Sequence, residues 1–236
     1  MIISCWNAQW HRSSSWQGSE IVKRLLLDSP EIVCCPEAFD DFLTAGWHGI
    51  FSQADYGYPL ISGRRKVTLW SRKPWSEIDS LGSPDLPSGR YVAGVTETTL
   101  GRIRVIGVCV PWNAAHVASG SRDRRLWEDH LTYLRGLRSL LVGTLSLPTI
   151  VVGDLNQQIP RRRSPKTAFT ELMTTLDGYN VWTTGEIERL DRQPVCHIGG
   201  TGHFKAKACY GHSCFLEGRP LSDHDGVVVD IAIGTT

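Results

Sequence analysis

No apolar run in this 236-residue sequence approaches the ~20 residues that a membrane span requires, so no membrane insertion is expected. The N-terminus, MIISCWNAQWH, lacks a basic segment followed by a long apolar core and a small-residue cleavage site, so no signal peptide is expected. Net charge is nearly absent: 25 Lys and Arg against 24 Asp and Glu leave +1, so any capture of phosphate must come from local clusters. Internal repeats and low-complexity tracts are absent too. The seven cysteines are an odd number, and Cys5, Cys34, Cys35 and Cys109 sit inside apolar runs. That pattern argues against a disulfide framework and fits reduced, buried thiols in a cytoplasmic protein. Paired metal-ligand spacings are missing as well. Cys209, His212 and Cys214 in CYGHSC, with His197 and His203 upstream, match no common zinc pattern and read as ordinary loop residues. GGTG at 199–202 opens no convincing helix, so it is not a dinucleotide site.

What is present is a soluble, globular composition, 41% hydrophobic and 21% charged, in a chain long enough to bury a substantial core. Short β-like runs recur at 2–6, 31–35, 66–70, 91–99, 102–110, 149–152 and 226–233. Several are continuously apolar, as expected for strands covered on both faces. Ile21, Val22, Leu25 and Leu26 recur at helical spacing. Trp127, Leu131, Leu134 and Leu141 form a second stripe, with Arg124–Glu128 and Arg125–Asp129 as i,i+4 pairs on its outer side. A third, shorter helix is expected from Thr167 to Leu176. This order gives an α/β fold with mixed sheets. The Pro- and Gly-rich stretches at 52–63 and 82–90 read as loops, leaving one domain over 1–236.

The strands are informative for what ends them. IISCW ends at Asn7, and EIVCC ends, after Pro36, at Glu37. VCVPW ends at Asn113, with His116 close behind. TIVVG ends at Asp154 and Asn156, and GVVVDI is entered from Ser222, Asp223 and His224. Each alone has a bland reading: Asp154 and Asn156 bond their own backbone in a turn, a Glu after a strand is solvated, and Ser-Asp-His caps a turn. Together they supply oxygen ligands for a hard cation, a carboxylate to prepare water, an imidazole, and amides for phosphate oxygens. Ligand sites in open α/β sheets gather at strand ends.

WNAQW, PEAF, VPWNAAH, GDLNQ and SDHDG, in that order, resemble the motifs of the endonuclease/exonuclease/phosphatase superfamily, the group of DNase I-like metal-dependent phosphoesterases. The resemblance runs from Asn7 to His224, and GDLN with a late SDH is its more specific part. It implies a four-layer α/β/β/α sandwich, two mixed β-sheets flanked by helices. It implies Mg²⁺ or Mn²⁺ held by Glu37 with Asn7 and Asp223. It further implies that Asp154 orients or deprotonates the attacking water beside Asn156, that His224 contacts the phosphate, and that Asn113 faces it. His116 is a further candidate for stabilising the phosphoryl group. Three positions depart from the pattern. Gln9 stands where some members have an aspartate, Cys109 near where nuclease members carry a tyrosine, and Cys196 where an aspartate would orient the His224 ring. Asp225 and Asp191 are candidates for that orienting role.

The expected activity is hydrolysis of a phosphodiester by in-line water attack, with nucleic acid as substrate. A phosphatase or phosphodiesterase for a small or lipid-linked phosphate is the alternative, and a binding protein with a degenerate site the third. Arg161, Arg162 and Arg163, followed by Lys166, come just after Asp154 and are candidates for flanking phosphates. Trp10, with His11, follows Asn7 and is a candidate for stacking on a base or ring. The clusters Arg64–Arg65–Lys66 and Arg122, Arg124, Arg125 flank structural elements and read as solvated faces.

Overall fold

In the computed structural model, which describes residues 1–234, the apolar runs become strands and the residues between them decide which face each strand covers. The first strands are β1 (Ile2–Cys5), β2 (Ile32–Phe39), β3 (His48–Phe51) and β4 (Arg64–Ser71). Then come β5 (Trp75–Asp79), β6 (Tyr91–Thr98), β7 (Gly101–Cys109), β8 (Thr149–Asp154), β9 (Asn180–Val181) and β10 (Cys196–Gly200). The chain closes with β11 (Phe204–His212), the short pair β12 (Phe215–Leu216) and β13 (Arg219–Pro220), and β14 (Gly226–Ile233). One sheet has the order β11-β14-β1-β2-β4-β3 and the other β5-β6-β7-β8-β10-β9. Both are mixed: β1–β2 and β7–β8 pair in parallel, while the other pairs are antiparallel.

The alternation along each strand builds three apolar layers. Ile3, Cys5, Ile32, Cys34, Val67 and Leu69 from one sheet meet Val92, Val105, Ile150, Val152, Cys196 and Ile198 from the other. The opposite face of the first sheet packs Val33, Cys35 and Trp70 on Ile21 and Leu25 of helix α1 (Trp16–Leu25). The opposite face of the second packs Ala93, Ile106, Val108 and Val151 on helices α2 (Glu128–Val142) and α3 (Lys166–Thr175), through Tyr133, Leu134, Leu137 and Leu172. The result is the α/β/β/α sandwich. Each fully buried Leu or Ile contributes about 1.5–3 kcal/mol, which explains why continuous apolar runs occur in strands with two covered faces.

Helix α1 starts where Ser15 Oγ accepts the Gly18 amide, at 3.1 Å, and carries Lys23 and Arg24 in its last turn, favourable to the helix dipole. Helix α2 corrects the expectation. Trp127 precedes it as a left-handed N-cap (φ 69°), and the buried stripe is Tyr133, Leu134, Leu137 and Leu141. Arg124 and Arg125 therefore lie before the helix: Arg124 Nε donates to Asp129 at 2.8 Å, and the Arg125 backbone amide donates to Glu128 at 2.9 Å. The seven cysteines are free thiols, six of them buried. Among the described residues no helix is long and apolar enough to cross a membrane.

Candidate functional site

Strand ends from both sheets meet around a cavity of about 270 Å³. It is lined by Asn7, Glu37, Lys66, Arg90, Cys109, Trp112, Asp154, Asn156, Asp223 and His224. Asp154 is its buried centre, 1% exposed. Gly153 makes that position reachable. Its φ of 148° suits glycine, and a Cβ there would lie 1.9 Å from the Val108 carbonyl oxygen, so β8 can press against β7 only without a side chain. Asp154 Oδ1 accepts the Asn156 amide at 2.9 Å, the local turn bond anticipated by the bland reading. Asp154 Oδ2 accepts Asn7 Nδ2 at 3.0 Å, from just past the end of β1 and 147 positions away, and Asn156 Nδ2 at 3.2 Å. The turn reading is thus true but incomplete.

The loop before β14 is tied onto β1. Ser222 Oγ donates to the Asn7 carbonyl at 2.7 Å, and Trp6 Nε1 to the His224 carbonyl at 2.7 Å. His224 is thereby held with Nδ1 3.5 Å from Asp154 Oδ2 and Nε2 3.7 Å from Asp223 Oδ1. Burial alone would lower the imidazole pKa, but the Asp154 carboxylate, with contributions from Cys196 and Asp223, drives it well above the ordinary range. Burial likewise raises the Asp154 carboxyl, with the His224 charge and the Asn156 and Asn7 donors opposing it. The proton of this buried pair sits on the imidazole, because the donors around Asp154 serve only an ionised carboxylate.

This geometry answers which group faces the His224 ring. Cys196 Sγ is 3.8 Å from Nδ1, but Asp154 itself is the nearest carboxylate. Asp225 is turned away, accepting Arg192 Nε at 2.7 Å and the Cys214 amide at 2.8 Å. Asp191 borders a different surface cleft with Arg162, Glu186 and Glu188. Cys109 lies in the wall, where burial pushes its thiol far up and leaves it protonated.

The expected ligand set divides. Glu37 sits in the cavity with φ 51°, and its Oε1 accepts Lys66 Nζ at 2.5 Å. Asn7 turns its carbonyl oxygen to the Gln9 amide at 2.9 Å and its amide nitrogen to Asp154, so it orients Asp154 while its oxygen keeps a second lone pair. The carboxylates of Glu37 and Asp223 remain as hard oxygen donors, with Glu37 Oε2 outside the Lys66 bond. That donor set fits a hard divalent cation that keeps most of its positions for water. Four non-glycine residues here, Gln9, Trp10, Glu37 and Asn156, have φ between 48° and 62°. Such strain concentrates where function over-determines the backbone.

Other expected residues fall outside the cavity. His116 faces a neighbouring cleft, where Nδ1 accepts the Ser121 amide at 3.1 Å and Nε2 lies 4.0 Å from Asp129. Asn113 is exposed and lines an adjoining cavity of about 450 Å³ with Trp112, Gln157, Arg163 and His224. The arginine triplet is split: Arg163 borders that cavity, Arg162 the other cleft, and Arg161 bonds the Ser164 carbonyl at 3.0 Å. Trp10 is half-buried, stacked on Tyr56 at 5.7 Å with Arg64 and Lys66 beside its ring. The reading of the CYGHSC segment as loop is corrected. Cys209 and His212 belong to β11, and the one group of His, Cys, Asp and Glu at metal spacing among the described residues is Asp154, Cys196 and His224.

Two residues escaped the sequence. Lys66, within a cluster read as solvated, is buried against Glu37. Arg90 ended a stretch read as loop. It is 2% exposed, its Nη2 has no hydrogen-bond partner, and it makes no ion pair among the described residues, yet it lines the cavity. Buried charges are ordinarily paired, so a lone guanidinium at a cavity wall is a prepared anion receptor. The only signal was register: Tyr91 pairs with Val108, which sets Arg90 opposite Cys109.

No protein-family model matches the chain, and no curated protein sequence does. Among solved structures it is similar to a 3'-5' exonuclease, NExo, from Neisseria meningitidis, at 18% identity and TM-score 0.69, covering 100% of both chains. A second similarity is to the endonuclease domain of TRAS1, a telomere-specific non-LTR retrotransposon (17%, TM-score 0.64, 99% of each chain). A third is to the human Nocturnin catalytic domain with bound sulfate (15%, TM-score 0.65, 99% of this chain and 93% of that one). At these identities the likeness is one of fold: the chain has the DNase I-like endonuclease/exonuclease/phosphatase fold.

Proposed function

We propose that this chain, with its endonuclease/exonuclease/phosphatase fold, is a divalent-metal-dependent phosphodiester hydrolase acting on nucleic acid by in-line water attack. The observation that carries the reading is Asp154: a buried carboxylate fixed by Asn7 and Asn156 and faced by the His224 imidazole. In water such a carboxylate is a weak base. Here two amides hold its oxygens and leave it one task, to align a water and take its proton. His224, carrying its proton beside Asp154, donates to a phosphoryl oxygen. Arg90 supplies a second fixed positive group that needs no reorganisation when charge develops. Glu37 and Asp223 would hold Mg²⁺ or Mn²⁺, which when bound polarises the phosphoryl group and neutralises the leaving oxygen. Lys66 orients the Glu37 carboxylate. Nucleic acid is favoured as substrate because a relative in fold, the 3' phosphatase NExo from Neisseria, has been solved bound to a product DNA hairpin. Arg163 and Trp112 beside the cavity offer contacts for a flanking phosphate and a base. A panel of DNA, RNA, abasic DNA, inositol phosphates and phospholipids, each with Mg²⁺ or Mn²⁺ and with EDTA, tests this. The expected result is oligonucleotide cleavage that EDTA abolishes. Metal-dependent release from inositol phosphates or phospholipids alone would replace the substrate assignment, and turnover surviving EDTA would remove Glu37 and Asp223 from their roles.

A further inference from the structure

Asp154, Cys196 and His224 present one carboxylate oxygen, one sulfur and one imidazole nitrogen that all lie within 4.8 Å of one another. A tetrahedral Zn²⁺ with bonds of about 2.3 Å to sulfur and about 2.0 Å to nitrogen and oxygen sets its ligands about 3.5 Å apart for S···N and about 3.3 Å for N···O. The observed separations are 3.8 Å for Cys196 Sγ to His224 Nδ1 and 3.5 Å for His224 Nδ1 to Asp154 Oδ2. Both are close enough that rotamer adjustment closes them.

We propose that these three residues form a binding site for a borderline-soft divalent cation, zinc in class, which inhibits the enzyme by occupying the groups that activate water and contact phosphate. The inhibition rests on the function proposed above; the binding does not.

Ligand chemistry separates this site from the hard one. Glu37 and Asp223 offer only oxygens, which suit Mg²⁺. A thiolate and an imidazole select zinc-like ions and leave Mg²⁺ unbound. Access is available through Asp154 and His224, which line the 270 Å³ cavity; Cys196, 0% exposed, adjoins His224 Nδ1 at 3.8 Å. Three protein ligands leave a fourth position facing that cavity, for water. On binding, the Cys196 thiol proton and any proton on His224 Nδ1 pass to solvent as the metal–sulfur and metal–nitrogen bonds form; no electron is transferred. The departure of this sequence from the family pattern is what creates the site. An aspartate at position 196 would make an all-oxygen-and-nitrogen set without the soft ligand.

The test is titration of the full chain with Co²⁺, read by its thiolate-to-cobalt charge-transfer absorption, and with Zn²⁺, read by calorimetry. One equivalent of cobalt is expected to give the thiolate band. Cys196→Ser and Cys196→Ala should abolish it and weaken Zn²⁺ binding at least about tenfold, whereas Cys209→Ser, at the half-buried thiol, should keep it. Absence of the band in the unaltered chain, or its survival in both Cys196 variants, overturns the site. Should those variants not fold, X-ray absorption of the zinc-loaded unaltered chain decides. One sulfur scatterer with nitrogen or oxygen supports the site, and oxygen and nitrogen alone overturns it. With saturating Mg²⁺, one equivalent of zinc is expected to stop turnover on the substrate found in the panel. Undiminished turnover with the cobalt band present overturns the inhibition only. If no substrate is cleaved at all, the hydrolase reading fails while the cobalt spectrum still decides the metal site.

Discussion

Two histidine–aspartate pairs lie on either side of Arg90, and the proposed chemistry uses only one. His224 stands 3.5 Å from Asp154; His116 stands 4.0 Å from Asp129. In sequence the two are alike, a histidine and an aspartate near strand or helix ends. In space their carboxylates differ. Asp129 already meets the Arg124 guanidinium at 2.8 Å, so its charge is neutralised and its cleft is a structural knot. Asp154 meets only amides and the imidazole, in a cavity that also holds an unpaired guanidinium. The comparison teaches that a carboxylate held by amides at a cavity wall and one tied into an arginine ion pair are different environments, even though each has a histidine beside it. Arg90 borders both cavities, so the two pairs share a wall but not a role.

The sharpest way to break this comparison is to remove each carboxylate's charge. Asp154→Asn should lose at least about a hundredfold in turnover, the scale of positioned acid–base catalysis. Asp129→Asn should keep turnover within a few-fold and lose about 1 kcal/mol or less, because its Arg124 partner is substantially solvated. Paired rate and melting measurements decide; near-normal turnover in Asp154→Asn would sink the water-activating assignment.

Arg90 tests the shared wall. Replacing it with Met should cut kcat/KM by about tenfold to a hundredfold, as expected when one prepared charge donor is lost. Stability should stay level or rise, since a buried unpaired charge leaves the folded state. A fall in stability with unaltered kinetics would make Arg90 structural.

Much of this was legible in the sequence, and the rest has physical reasons for being hidden. Continuous apolar runs mark β1, β2, β4, β7, β8 and β14 because burial on two faces leaves no polar alternation. The edge strands are another matter. WSEID of β5 and FKAKACYGH of β11 bury few of their residues, and β11 carries a bulge between Ala206 and Ala208, so neither shows a clean period. The polar strand ends were readable as a set. What each side chain does there was not, because Asn7 to Asp154 and Lys66 to Glu37 are contacts between strands, invisible to local spacing. The split of Arg161, Arg162 and Arg163 has the same origin: adjacent residues in a loop point to different clefts.

Histidines without a carboxylate extend the comparison. His130 and His197 are buried among neutral partners, and desolvation lowers each to about 4. His130 donates Nδ1–H to the Pro111 carbonyl at 2.7 Å and accepts Gln157 Nε2–H at 2.8 Å, an arrangement that only the neutral ring satisfies. Both folded values lie below the unfolded value of about 6.5, so between them the unfolded chain binds more protons. The stability these two rings contribute is therefore full above about pH 6.5 and declines as pH falls toward 4, whereas His224, with its raised value, contributes in the opposite sense. From pH 7.5 to 5.5 each histidine should cost about 1 kcal/mol. Denaturant unfolding across that interval measures it, and His197→Gln should flatten the pH slope. An equal slope in that variant would assign the loss elsewhere.

The smallest effect separates the three arginines that the sequence presents as one cluster. Only Arg163 borders the cavity that contains Asn156, Asp223 and His224. Arg162 faces Glu186, Glu188 and Asp191, acidic neighbours that repel a phosphate, and Arg161 is engaged with the Ser164 carbonyl. A phosphate contact made on binding releases counterions, and each such contact contributes about 0.9 to the slope of log K against log salt for duplex DNA. Arg163→Ala should therefore reduce the slope for an oligonucleotide duplex by about 0.9, while Arg161→Ala and Arg162→Ala leave it unchanged. Turnover of a small chromogenic phosphodiester should be nearly the same in all three, because Asp154, His224 and Arg90 remain. If all three variants lower the slope equally, the triplet acts as a diffuse basic face and the cavity does not select among its members. If none does, flanking phosphates are not gripped here and the small-phosphoester alternative gains. A loss on the small diester confined to Arg163→Ala would move that guanidinium from the flank to the reacting phosphate itself.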